Sequence, residues 1–121
     1  MYSLIALMFC VALSQAATIK PVETSECIIR LDGEIKRVDF AAFLAIAATT
    51  LKGEQGESTA KDVICLNSPG GSLSEGALFA QYFYKNGVGT SIGDSDQCFS
   101  VCAVMFMMGV ANGAEVRADS T

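Results

Sequence analysis

The chain has 121 residues, of which 51% are hydrophobic and 17% charged. That length suits one domain, and that balance excludes a disordered chain or a solvated tail. The formal net charge is −5 and the eight Lys and Arg residues are scattered, so no basic patch offers itself to nucleic acid or to an anionic membrane surface.

Residues 1–13 carry no charged side chain and are rich in Leu, Ile, Met, Phe and Val. Ser14-Gln15-Ala16 then places small residues at the two positions that signal peptidase reads. The sequence predicts a signal peptide over residues 1–16, cleavage before Ala17, and one mature domain over 17–121. The n-region has no Lys or Arg, which leaves an uncleaved N-terminal anchor as the alternative. The apolar run is short for a transmembrane helix. The expected location is therefore periplasmic or extracellular, with membrane association only through an uncleaved N-terminus. Cys10 follows the bulky Phe9 and does not read as a lipoprotein cysteine.

The mature chain holds Cys27, Cys65, Cys98 and Cys102. An even count in an exported chain permits disulfides. Cys98 and Cys102 are near in sequence and form the expected pair, which requires Cys98 to lie in a loop before the helix that carries Cys102. The alternative is four buried thiols acting as small hydrophobes. There is no His and no C-x-x-C, so neither a metal nor another cofactor is expected.

Residues 18–26 read as a polar leader containing Pro21, and 27–31 as a short strand ended by Asp32-Gly33. Asp39 is the expected cap of a helix over 40–51, where Phe40, Phe43, Leu44 and Ala47 recur at helical spacing. Residues 52–61 read as an exposed loop. A buried strand over 62–66 stops at Pro69-Gly70-Gly71, and Ser72 or Ser74 opens a helix through Lys85, with Asn86-Gly87 as its stop. A third strand spans 88–92 and a turn-rich loop 93–97. Residues 101–108 are apolar on every side and predict a fully buried helix, closed by Gly109 and Asn112-Gly113. A fourth strand is expected at 114–117. This alternation predicts an α/β fold with a mainly parallel sheet and right-handed crossovers. Gly70-Gly71 and Ser100 then fall at the carboxyl ends of neighbouring strands, where such sheets bind ligands.

Gly70-Gly71 allows unusual backbone angles and close approach, and the helix behind it offers N–H groups and a partial positive charge. An oxyanion or a peptide carbonyl fits such a cradle; a ligand-free tight turn is the alternative. Neither a Walker sequence, nor G-x-G-x-x-G, nor G-x-S-x-G occurs. Ser100 opens the apolar helix, where the dipole favours an alkoxide and the N–H of Val101 can join that of Gly71 around an oxyanion. Spacing alone fits an ordinary N-cap serine better.

Leu66-Asn67-Ser68-Pro69-Gly70-Gly71-Ser72, an apolar helix, and then Cys98-Phe99-Ser100-Val101-Cys102-Ala103 together resemble the Clp protease proteolytic-subunit family. The likeness is greatest to exported, periplasmic-type relatives with a serine between two cysteines, and it covers roughly residues 27–117. The resemblance implies a Clp/crotonase-like spiral of β-β-α units and a serine peptidase that assembles as a homo-oligomer. It matches Ser100 to the nucleophile and Gly71 and Val101 to the oxyanion donors. It lays an extended peptide or protein substrate near Gly70 and Ser72. It also implies a His and an Asp, or in related signal peptide peptidases a Lys, downstream of the serine. Here no His occurs, and Lys20, Lys36, Lys52, Lys61 and Lys85 all precede Ser100; Arg117 stays protonated. The chain is thus expected to be a fragment of a longer peptidase or a non-catalytic member, and in either case nearly inactive alone. Three functions remain in view: a Clp-type serine peptidase, a peptide-binding or assembly protein of the same fold, and a crotonase-like acyl-thioester enzyme that would not need Ser100. A His and Asp in the frame beyond Thr121 would indicate the first, a Lys its Ser–Lys variant, and neither the second.

Overall fold

The computed structural model describes residues 16–24, 26–51 and 62–110. The expected leader up to residue 15, the loop at 52–61, the Asn112-Gly113 stop and the strand at 114–117 lie outside the described residues.

The described elements run β1 (Thr18–Pro21), β2 (Ile29–Asp32), α1 (Asp39–Thr50), β3 (Val63–Asn67), α2 (Leu73–Asn86), β4 (Gly89–Ser91) and α3 (Val101–Val110). They build one α/β unit on a four-stranded mixed sheet of order β1-β2-β3-β4. The β2–β3 and β3–β4 pairs are parallel and β1–β2 is antiparallel. The expected polar leader is thus partly an edge strand. Its only inward apolar residue is Ile19, opposite Leu31, so its pairing comes from β2 and not from a hydrophobic pattern of its own. Pro21 ends it, where a missing N–H is tolerated.

Strand alternation assigns the faces. Ile29, Leu31, Ile64 and Leu66 are fully buried and join Phe43, Phe79, Phe83 and Met105 in the core. The rings of Phe40, Phe43, Phe79, Tyr82 and Phe83 pack against one another between α1 and α2. Residues on the other sheet face include Arg30, Asp32, Cys65 and Asn67. There a disulfide joins Cys27 to Cys65, a pairing that sequence spacing left open. A second joins Cys98 to Cys102. Two disulfides suit an oxidising, exported environment. Among the described residues no helix is long and apolar enough to cross a membrane.

Three local expectations need correction. Asp39 does not cap α1. The capping position is Val38, in a left-handed conformation and without a side-chain cap bond, while the free N–H of Phe40 is taken by Glu75 of α2 at 2.8 Å. Nor is α3 fully buried. It packs on α2 and β4 along one side, which leaves Val104 and Met107 exposed. Composition alone could not show that only one side has neighbours. Finally, Gly109 lies within α3 and not beyond it, where a Cβ would come within 2.6 Å of Thr90; its lack of a side chain lets helix and strand approach closely.

Candidate active site

Three loops converge at the carboxyl end of the sheet. They follow β2, β3 and β4, and short parallel bridges extend the sheet across them: Ile35 pairs with Gly71, and Ser68 with Cys98. Ser68 is the fastener. Its N–H donates to Gln97 O at 2.8 Å and its carbonyl accepts from Phe99 N–H at 3.0 Å. Its buried hydroxyl accepts from Gly70 N–H at 3.0 Å. On the other side, Ile35 N–H donates to Gly70 O and Ser72 N–H donates to Ile35 O.

These bonds refine the expected roles of the glycine turn. Gly70 has both backbone groups occupied and the Ser72 N–H is also used. Gly70 and Ser72 therefore shape the surface along which a peptide could lie, but supply it no spare N–H. The Gly71 N–H has no acceptor among the described residues, and Gly71 is exposed. Both glycines have positive φ, 107° and 139°, which only glycine adopts without strain. A Cβ on Gly70 would lie 2.7 Å from Ser100 Cβ and 3.2 Å from Ser100 Oγ. The missing side chain is what lets Ser100 sit against the turn.

Two serines begin helices here, and they differ. Ser72 has extended backbone (φ −65°, ψ 121°) and its Oγ accepts the Glu75 N–H at 3.1 Å. That is the geometry of an N-cap. Ser100 has φ 58°, is exposed, and its Oγ makes no hydrogen bond among the described residues. The first turn behind it is closed by backbone alone, Cys102 N–H to Phe99 O and Ala103 N–H to Ser100 O. Spacing favoured a cap; the backbone does not form one. Left-handed non-glycine residues are strained and gather at functional sites.

The Val101 N–H is among the unpaired donors of the first turn of α3, with no acceptor among the described residues. The Val101 side chain fixes its position. It is buried, and it fills the space over Gly76 of α2, where an added Cβ would come within 2.4 Å of a Val101 methyl. Cys98 lies before the helix and Cys102 in its first turn, with Cα atoms 5.1 Å apart. Their bond spans Ser100 and clamps the turn that presents it.

A polar network that motif reading missed holds the loop leading to Ser100. Arg30 reaches across 66 positions to Asp96 with two bonds, at 2.9 and 3.2 Å, and also binds Asp32 at 3.0 Å. Asp32 in turn accepts from Asn67 Nδ2, whose Oδ1 accepts the Gln97 N–H. Bonding to Asp96 foremost holds the Arg30 guanidinium more firmly protonated than usual; burial opposes this, and bonding to Asp32 adds to it. The one sequence clue was Asn67 beside the glycine turn. No group of three or more His, Cys, Asp or Glu that could hold a metal occurs among the described residues.

The site thus offers one exposed hydroxyl and two open N–H groups at adjoining turns, an arrangement suited to acyl transfer. No protein-family model, curated protein or solved structure matches this chain.

Proposed function

We propose that this chain is a serine-peptidase-like protein of the Clp type, built on the spiral fold of Clp proteases and crotonases, that acts on or binds exported peptides. The observation that carries the reading is Ser100: a left-handed, exposed serine at the head of a helix, its hydroxyl bonded to none of the described residues and packed against Gly70. In this reading Ser100 Oγ attacks the carbonyl carbon of a peptide laid beside Gly70 and Ser72. The N–H groups of Gly71 and Val101 receive the developing oxyanion, and the α3 dipole favours the alkoxide. The exposed Val104 and Met107, one turn apart on α3, support assembly as a homo-oligomer.

The 121 residues contain no His, and every Lys precedes Ser100. A general base contributes about 10²–10⁴-fold, so this chain alone hydrolyses peptides slowly or not at all. The bare Ser100 hydroxyl equally supports a second reading, a peptide-binding protein of the same fold without chemistry.

Fluorophosphonate labelling with mass mapping tests the proposal. The expected result is a slow adduct on Ser100, accelerated by imidazole as an added base and absent from Ser100→Ala. Peptide binding without any adduct supports the second reading. No adduct at Ser100 in imidazole, together with no peptide binding, overturns both.

A further inference from the structure

Asp39 is a carboxylate only 2% exposed. Burial of a charge is costly unless it is paired, yet Asp39 forms no ion pair among the described residues. Its Oδ2 accepts two backbone N–H groups, Lys36 at 2.7 Å and Ala17 at 3.2 Å. Ala17 is the residue that the Ser14-Gln15-Ala16 sequence marks as the start of the mature chain.

We propose that processing turns this second contact into an ion pair: the new N-terminus of Ala17 docks on the buried carboxylate of Asp39. The inference rests on cleavage before Ala17. Water adds across the Ala16–Ala17 amide; the carboxylate leaves with the leader, and Ala17 keeps an amine that is mostly protonated at neutral pH. A neutral amide that donates one proton becomes an ammonium with three, at the same atom. The hydrogen bond to Oδ2 becomes charge-assisted, and the buried carboxylate gains its counter-ion.

The fold holds the atom in place for this. β1 begins at the next residue, where Thr18 pairs with Asp32. Gly33 lies alongside, where even an added Cβ would meet Ala17 Cα only in ordinary contact at 3.4 Å. The socket also adjoins the candidate site. Lys36, which shares Oδ2 with Ala17, follows Ile35, the residue that bonds Gly70 and Ser72. A docked terminus would therefore brace the loop against which the Gly70-Gly71 turn is built.

A double-mutant cycle tests the pairing. The protein starting at Ala17 is prepared with a free and with an acetylated terminus, each with Asp39 and with Asp39→Asn, and unfolded in urea. Acetylation is expected to lower the folding constant by about 10-fold with Asp39, and by less than about 2-fold in the Asp39→Asn background, which has no charge to pair. Restoring Ala16 ahead of Ala17 should reproduce the loss, which serves if Asp39→Asn does not fold. Equal effects of acetylation in both backgrounds, or no effect of acetylation and of restored Ala16, would overturn the docking. N-terminal sequencing of the exported protein tests the cleavage separately: a start at Ala17 supports it, and any other start overturns the processing step.

Discussion

Gly71→Ala will lower the stability of the chain by about 2–6 kcal/mol, adding left-handed strain to a steric clash that cannot relax by side-chain motion. The φ of 139° is open to glycine, and a Cβ built there would sit 2.3 Å from Ile35 O and 2.7 Å from Ile35 N. Both neighbours are backbone atoms of the bridge that joins the β2 and β3 loops, so one of the two loops must move. Ile35 would then lose its bonds to Gly70 and Ser72, and the N-cap of α2 would shift with them. Gly87→Ala is the control. That glycine also has positive φ, 65°, but an added Cβ meets nothing within 4 Å, so only the conformational cost of about 1 kcal/mol applies. Urea midpoints of the two variants measure the difference. Equal losses would show that the close approach of Ile35 to Gly71 does not constrain the turn.

Removing the Cys27–Cys65 bond by Cys27→Ala with Cys65→Ala will lower stability by about 4 kcal/mol, on the chain-entropy account of disulfides. The bond closes a loop of 38 positions, and both cysteines are buried. It ties the segment before β2 to the middle of β3, across the sheet face away from the core. The Cys98–Cys102 bond spans only four positions, and the same account gives it about half that stabilisation. Its removal acts locally, on the turn that carries Ser100. Unfolding under non-reducing conditions separates the two. A loss below about 1 kcal/mol for the first pair would mean that the unfolded chain is already constrained there.

The parts of the fold legible in the sequence were those with a local signal. The apolar spacing of α1 and α2 and the Pro69-Gly70-Gly71 stop after β3 set the α/β order. They also put the glycine turn and Ser100 at the same end of the sheet. What was not legible depended on distant partners. β1 has a single inward residue and exists because β2 pairs with it. Arg30 and Asp96 lie 66 positions apart, with no spacing rule to join them. Cys27 and Cys65 lie 38 positions apart and gave no local sign of bonding to each other until β2 and β3 brought them together. The exposure of Val104 and Met107 required knowing that α3 has neighbours on one side only. Backbone conformation was also hidden: nothing in Phe99-Ser100-Val101 distinguishes a left-handed serine from a capping one, and Val38, a β-branched residue, gives no hint of its φ of 68°.

If Ser100 is free of the fold, as the proposed function requires, the unfolding free energies of Ser100→Ala and Ser72→Ala will differ. Ser72 bonds the Glu75 N–H at 3.1 Å, so its loss is expected to cost about 1 kcal/mol, the usual value of an N-cap. Ser100→Ala keeps the same strained backbone and removes a hydroxyl that bonds nothing among the described residues, so its stability should stay within about 0.5 kcal/mol of the parent. A loss of about 1 kcal/mol at Ser100, equal to that at Ser72, would make Ser100 a helix cap with no hydroxyl left free for a substrate.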